Sequence, residues 1–578
     1  MQPFHHGASG HLPRRLFLTA IIVCFLFMAL PEEKAYGQLC ETIRNQLEEG
    51  GIPFKKTIEG ETIHAAEALP EFYEMNAYQP IWVDEDVFRE KVEVLVRALQ
   101  NAEQEGLNPE DYHLSKIQNI LERGVDGGEE ECSRHNKLLA LEFLLSDAFL
   151  TYGSHLVDGR VNPSRVDSEW YVERSRTDMA PVLFNAIHSN EIQKSLERLA
   201  PGQSAYRRLK EALKRYRQIA ANGGWKTVPL VKKLQKGDSD PVVALIYERL
   251  AAELGDLENA RPDPDPTHIV FDDALDISIK KFQRLRGLTD DGVIGKKTLA
   301  ALNLSARACV RAIEINLERW RWLPADLGER FILVNMANFS ADVMEKDYPV
   351  MSLRAIVGTQ YRKTPVFSHR ISYLVLNPYW HVPKKIAVED KLPLLQKNPY
   401  LLMKQKIRVF TNNGVESMEI NPVYVDWSTV TPYNFRYKLR QDPGPLNALG
   451  RVKFMFPNRF NVYLHDTPAR ELFDKTVRTF SSGCIRIEKA LELAEYLLRD
   501  DPDWTPESLV VAVEKNKERT VKLKTPMPIH LLYWTAFVDG AGEVHFRNDI
   551  YERDMNLIRA FYTRSEKALA FMKKEEKR

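Results

Sequence analysis

The sequence predicts a multi-domain α+β protein with a helical front half, a small three-helix unit in the middle, and a mainly β C-terminal region carrying an insertion. Three observations lead there. The chain has 578 residues, too many for one hydrophobic core and enough for three or four domains. Apolar residues recur at three- and four-residue spacing up to about residue 225. From about 311 to 520 short β-rich runs take over, separated by turn residues. With 44% hydrophobic and 28% charged residues, the composition is that of globular protein. Lys+Arg and Asp+Glu both number 80, so net charge favours no polyanionic partner, and no nucleic acid is expected.

At the N-terminus, Arg14 and Arg15 precede an uncharged run, Leu16–Leu30. A basic flank before an apolar run reads as a secretory signal, and the run is short for a membrane span of ~20 residues. Ala35-Tyr36-Gly37 offers small residues for cleavage before Gln38, while Pro31 and the charges after it fit cleavage poorly. Residues 1–38 therefore read as a signal peptide or as an uncleaved membrane anchor. The five cysteines are 24, 40, 132, 309 and 484. In an oxidising compartment Cys40 and Cys132 are candidates to pair, which sequence alone does not establish. With no CxxC and no Cys/His cluster at ligand spacing, no metal site is expected.

Residues 40–225 form a helical scaffold domain. Phe88–Leu99, Asn136–Tyr152 and Tyr206–Ile219 all carry apolar faces at helical spacing, without recognisable chemistry. Gly223-Gly224 and the Lys236-Gly237-Asp238 turn mark a boundary. Over 228–305 a helix opens at Asp240-Pro241, a Pro/Asp linker follows (Arg261–Pro266), and Ala274, Ile277, Lys281 and Phe282 fit a second helix. Gly287 ends that helix, Asp291-Gly292 turns the chain, and Thr298–Leu302 begins a third. The run from Asp272 to Asn303 resembles the small three-helix peptidoglycan-binding domain, with its KFQ, GL, DG and I-G-x-x-T elements. The resemblance implies binding to glycan strands.

The β-rich region, 311–520, contains runs at Phe331–Ala337, Leu353–Gly358, Ile371–Leu376, Ile407–Phe410 and Asn461–Leu464. The stretch 384–444, rich in Pro, Asn, charge and aromatics, reads as a lid insertion. Residues 521–578 form a C-terminal segment with a hairpin at Asp539-Gly540 and a final helix, Asp554–Lys577.

Two residues carry the chemistry. Phe460–His465 alternates, placing Asn461, Tyr463 and His465 on one side of a strand. By itself His465 reads as a satisfied core or surface histidine. Further on stand Ser481-Ser482-Gly483-Cys484-Ile485-Arg486, where Gly483 permits a tight backbone just before the sulfur. Lys489–Leu498 reads as a helix, so Cys484 is expected near a helix N-terminus that would favour a thiolate. Alone, Cys484 reads as a buried, inert cysteine.

Together, His465, a 15-residue spacer (466–480) and S-S-G-C-I-R resemble the L,D-transpeptidase signature. Members often carry His where this chain has Ser482 and Asn where it has Arg486. Further resemblance lies in Leu376–Pro383 (LNPYWHVP), Gly358 with Thr364-Pro365, Arg440–Gly444 (RQDPG) and Asn447–Gly450 (NALG). The layout is similar to the large, multi-domain Gram-negative L,D-transpeptidases. It implies that Cys484 is the nucleophile, His465 the base, and backbone N–H groups near Gly483 and Cys484 the oxyanion hole.

The resemblance further implies a thioester formed at a diaminopimelate–D-alanine bond, resolved by a diaminopimelate amine to give a 3→3 cross-link. Tyr463, Arg486, Ser481, Ser482 and Trp380 become candidate substrate-binding residues, each also explicable as packing or turn formation. No metal or organic cofactor is needed. The implied partners are peptidoglycan stem peptides and glycan strands, the implied location the periplasm with optional inner-membrane anchoring, and carbapenems would acylate Cys484. A hydrolase of the same fold and an idle wall-binding scaffold are the rival readings.

Overall fold

A computed structural model describes residues 31–51, 53–54, 56–83, 88–123, 131–172, 176–255, 270–412 and 417–562, with backbone alone at 31–37, 88 and 131–133. The apolar run 16–30, the linker 261–266, the chain beyond Tyr562 and the Cys132 side chain lie outside the described residues. Among the described residues no helix is long and apolar enough to cross a membrane. Cys40 is a free thiol whose Sγ donates to Gln79 Oε1 at 3.4 Å, so it is not in the disulfide considered from sequence.

The helical front gathers around one long helix, Glu131–Asp158. Leu141, Phe143, Leu144, Leu145, Ala148 and Phe149 have no exposure, which buries its middle on every side. The carboxylates buried with them, Glu142 and Asp147, are satisfied. The Glu142 carboxylate accepts from Ile81 N (2.8 Å), Trp82 N (2.9 Å) and Tyr73 OH (2.7 Å). Asp147 accepts from His64 N and Ala65 N at 2.9 and 2.6 Å, and pairs with His113 Nε2 at 2.8 Å. The long helix thereby fixes the loops that cross it.

The middle unit has the expected three helices, Val242–Leu254, Asp273–Leu285 and Lys296–Leu302. Asp240 and Asp272 cap the first two, accepting from Val242 N and Leu275 N at 2.9 Å each. Val243, Ile246, Leu250, Leu275, Ile279 and Phe282 form its separate core, while Ile277, expected on the apolar face, is exposed.

The strands are β1 (Thr57–Ile58), β2 (Glu61–Thr62), β3 (Arg330–Asn335), β4 (Ser340–Glu345), β5 (Tyr348–Gly358), β6 (Phe367–Leu376), β7 (Trp380–His381), β8 (Ile407–Thr411), β9 (Glu419–Ile420), β10 (Tyr437–Gln441), β11 (Val452–Met455), β12 (Leu464–His465), β13 (Thr479–Ser481), β14 (Ile485–Ile487), β15 (Arg519–Leu532), β16 (Ala536–Val538) and β17 (Val544–Phe546). The main sheet has nine strands, ordered β13-β5-β14-β12-β11-β6-β15-β3-β4. Because β4 also pairs with β5, every strand but β13 joins a closed ring, which removes most open edges.

Three sequence expectations need correction. The boundary at 520 falls inside β15, which lies between β6 and β3 and pairs with both. Its exposed, charged start hides this, since Arg519, Thr520, Lys522 and Lys524 face outward while Val521 and Leu523 are buried. The run Phe460–His465 is not one strand: Asn461 adopts a left-handed φ of 55°, and pairing begins only at Leu464. The insertion is also wider than 384–444. Strands β7, β10, β8 and β9 form its own sheet, and its core runs from Trp380 to Leu449.

Candidate active site

Strands β11, β12 and β14 lie side by side. In their register Lys453 is opposite His465, and His465 is opposite Arg486. The neighbouring residues Phe454, Leu464 and Ile485 are fully buried in the main core, so the pleat turns Lys453, His465 and Arg486 to the other face. One step back, the Ile485 N–H donates to the Tyr463 carbonyl at 3.1 Å, which sets Cys484 beside Tyr463. Tyr463 and His465 stay on one face, their ring centroids 5.7 Å apart. The sulfur, the phenol, the imidazole and two cations thus share one patch. Tyr463 also packs against the core of the insertion, which covers that side.

His465 is buried, and its Nδ1 lies 2.5 Å from the Asp466 carbonyl oxygen. A carbonyl only accepts, so Nδ1 carries the proton and Nε2 is left as the acceptor. Burial first, then the Arg486 and Lys453 charges, push His465 down to about 3 despite that hydrogen bond. Asp466 is itself anchored: its carboxylate accepts from Arg451 N at 2.8 Å and from Arg470 Nη2 at 2.7 Å. Gly450 leaves room for that carboxylate, since a Cβ there would come within 2.3 Å of it, and its φ of 63° also requires glycine.

Cys484 is half-buried, and its Sγ donates to the Asn461 carbonyl at 3.7 Å. Among the described residues no hydrogen bond joins it directly to His465. Burial raises the thiol above its ordinary value, outweighing Tyr463 and Arg486. The helix-terminus activation expected from sequence is absent. Cys484 is followed by β14, and the helix begins only at Ala490, beyond the single turn over which a helix end acts. The resting site is therefore a neutral thiol beside a neutral imidazole. Burial and the neighbouring sulfur likewise keep the Tyr463 hydroxyl protonated.

The loop before the sulfur is held by its serine. Ser481 Oγ donates to the Cys484 carbonyl at 2.5 Å and accepts from Gly483 N at 3.2 Å. The Gly483 N–H, expected in an oxyanion hole, is thus occupied, and of that pair only the Cys484 N–H has no acceptor among the described residues. Gly483 has a φ of 115°, which side chains disfavour. Its carbonyl accepts from Thr364 Oγ1 at 2.9 Å, and that hydroxyl accepts from Gly358 N at 3.0 Å. A Cβ on Gly358 would meet the Arg362 carbonyl at 2.0 Å.

Of the other candidates, Ser482 is exposed and its Oγ accepts from Arg362 Nη1 at 2.7 Å. Arg486 is half-buried, and its Nε has no hydrogen-bond partner among the described residues. Trp380 is buried in the insertion core beneath the Lys391 ammonium, 5.5 Å from its ring centroid. Gln441 and Asn447 are hinge pins: the Gln441 amide bonds Gln405 O, Leu446 O and Ala448 N at 2.7–2.8 Å, and Asn447 Nδ2 donates to Pro378 O at 2.9 Å.

Sequence reasoning missed Lys453, Arg362 and the anchoring of Asp466. For Lys453 a signal exists. The alternation of Val452-Lys453-Phe454 puts a lone cation on the polar face of an otherwise apolar strand.

Fold and side chains together define the class, a multi-domain protein built on an L,D-transpeptidase catalytic domain. Residues 329–516 match the L,D-transpeptidase catalytic domain, 243–302 the "Putative peptidoglycan binding domain" and 67–213 the Scaffold domain. The chain thus contains an L,D-transpeptidase catalytic domain, with a peptidoglycan-binding domain and a Scaffold domain before it. Among similar proteins is a "Putative L,D-transpeptidase" of Haemophilus influenzae, 32% identical over 247 residues, covering 42% of this chain and 49% of that protein. The chain thus spans about half the length of the curated relative it matches. A solved L,D-transpeptidase (residues 123–326) from Xylanimonas cellulosilytica overlays at 14% identity, covering 53% of this chain and 99% of that one; at a TM-score of 0.17 the overlay bears no weight.

Proposed function

We propose that the protein is a peptidoglycan L,D-transpeptidase that forms 3→3 cross-links through a Cys484 thioester and releases D-alanine. The observation that supports this most is the shared face of Cys484, Tyr463, His465 and Arg486, with the His465 Nε2 left as an acceptor by the Asp466 carbonyl.

In the first step Nε2 takes the thiol proton as sulfur attacks the diaminopimelate carbonyl of a donor tetrapeptide. A carbon–sulfur bond forms, and charge moves to the carbonyl oxygen. The Cys484 N–H, which has no acceptor among the described residues, stabilises that oxyanion, a role typically worth ~3 kcal/mol per donor. The C–N bond then breaks, the imidazolium gives its proton to the leaving amine, and D-alanine departs. The side-chain amine of a neighbouring diaminopimelate attacks the thioester, His465 takes its proton, and the thiol is regenerated. Because thiol and imidazole both start neutral, proton transfer accompanies attack rather than preceding it.

The peptidoglycan-binding domain would hold glycan strands near this site, and the apolar N-terminal run would deliver the chain to the periplasm, cleaved or as an inner-membrane anchor. The test is muropeptide analysis of sacculi incubated with the wild type and Cys484→Ala. The expected result is a cysteine-dependent gain of 3→3 dimers. Loss of dimers would instead make it a trimming hydrolase, and no cysteine-dependent change would leave a wall-binding scaffold. A carbapenem adduct on Cys484 by intact mass tests the nucleophile independently.

A further inference from the structure

His465 stands between two cations. Lys453 is its partner on β11 and Arg486 its partner on β14, all three on the face that carries the sulfur. Among the described residues neither cation has a salt bridge, and the Arg486 Nε is buried without a hydrogen-bond acceptor. The carboxylate that most affects Lys453 is Glu518, which already accepts from Tyr379 N at 2.8 Å. The Lys453 ammonium lies 5.9 Å from the Tyr463 ring centroid. Half-buried positive groups without counter-ions are costly, and they mark places where an anion is to be bound.

The position of the general acid limits which anion this is. The proton held by His465 must reach the amine of the departing residue. In a C-terminal amino acid, amine and carboxylate sit on the same α-carbon, so whatever flanks the imidazole meets that carboxylate. The acyl side of the donor is attached instead to the carbonyl at the sulfur, two residues along the strand.

We propose that Lys453, with Arg486 on the opposite side of His465, forms the subsite that binds the terminal carboxylate of the leaving D-amino acid. This rests on the transpeptidase reading and deepens it: the enzyme requires a free C-terminus on the donor, and Lys453 sets that specificity. Arg486, nearer the sulfur, also faces the forming oxyanion, so Lys453 is the cleaner probe.

The experiment uses the full chain with two soluble donors, a disaccharide-tetrapeptide ending in a free carboxylate and the same compound as its C-terminal carboxamide. Release of the terminal residue gives kcat and KM for the wild type, Lys453→Met and Lys453→Arg. In the wild type the amide should show a KM at least roughly tenfold higher, as expected for loss of one charge-assisted hydrogen bond. Lys453→Met should raise KM for the acid by a similar factor, leave kcat nearly unchanged and erase the preference. Lys453→Arg should restore it. A Lys453→Met enzyme that keeps the wild-type acid-to-amide ratio overturns the subsite while leaving the transpeptidase reading intact. No release from either donor by wild type overturns the transpeptidase reading, and this inference with it.

Discussion

The charge on His465 is decided by what surrounds the ring, with burial the largest influence and the Arg486 and Lys453 cations next. All three oppose protonation, and the Asp466 carbonyl, which favours it, does not restore the ordinary value. The imidazole therefore stays neutral from pH 7 to pH 5, where a solvent-exposed histidine, with a value of about 6.5, would gain its proton. The single-turnover rate of Cys484 acylation should change by less than about twofold over that range, in contrast to the acid limb of an unperturbed histidine base. The thiol is shifted the other way, so iodoacetamide alkylation of Cys484 should titrate at higher pH than that of a free cysteine. An ion-paired thiolate–imidazolium would reverse both results: alkylation would be fast at pH 6, and acylation would fall on the acid side. Cysteine and histidine were both legible from spacing and neighbours. Their resting protonation was not, because it depends on strands that come together only in the folded sheet.

Between strands and helices, the insertion is tied to the catalytic loop by one side chain. The Arg362 guanidinium reaches Glu389 Oε2 at 2.6 Å and both Asp390 oxygens at 2.8 Å, while also donating to Ser482 Oγ. Both carboxylates are substantially exposed, so each pair is worth at most about 1 kcal/mol. Arg362→Met should therefore loosen the cover without unfolding it. We expect roughly fivefold faster alkylation of Cys484 and faster hydrogen exchange over residues 384–404, with little change in melting temperature. Unchanged exchange there would mean that the Gln441 and Asn447 pins hold the insertion by themselves. The insertion could be read from its Pro- and Asn-rich texture, but its true ends could not. Trp380 and Leu449 belong to it because they fill its core, a fact of packing rather than of local pattern.

In the whole molecule the three-helix domain is not loosely tethered. Arg286 pairs with Glu253, which also accepts from Tyr216 of helix Ser204–Ala221 at 2.7 Å and pairs with Arg249 at 2.8 Å. Arg547, beyond the C-terminal hairpin strand β17, donates to the Leu285 carbonyl at 2.8 Å, and Lys281 pairs with Glu543 at 3.0 Å. The two cations of the Glu253 cluster are almost fully buried, so removing the carboxylate strands both of them. Such a loss typically costs 3–5 kcal/mol. Glu253→Ala should lower the first unfolding transition and raise hydrogen exchange over 242–302, while the proposed 3→3 cross-linking of soluble muropeptides survives. Uniform exchange in the variant would show that the domain is held mainly by its apolar contacts.

Alone, the sequence determined the order of the parts and singled out Cys484 and His465 as the proposed nucleophile and base, since helical period, glycine-bearing turns and the Cys484–His465 spacing are local along the chain. Tertiary structure decided what depends on distant segments meeting. It made β15 an interior strand of the catalytic sheet, although 515–525 reads as charged and exposed. It also turned Lys453 toward His465. Strand register accounts for each of these. It is set by pairing between residues far apart in the chain, and a one-residue change in it would carry Lys453 and His465 to the opposite face.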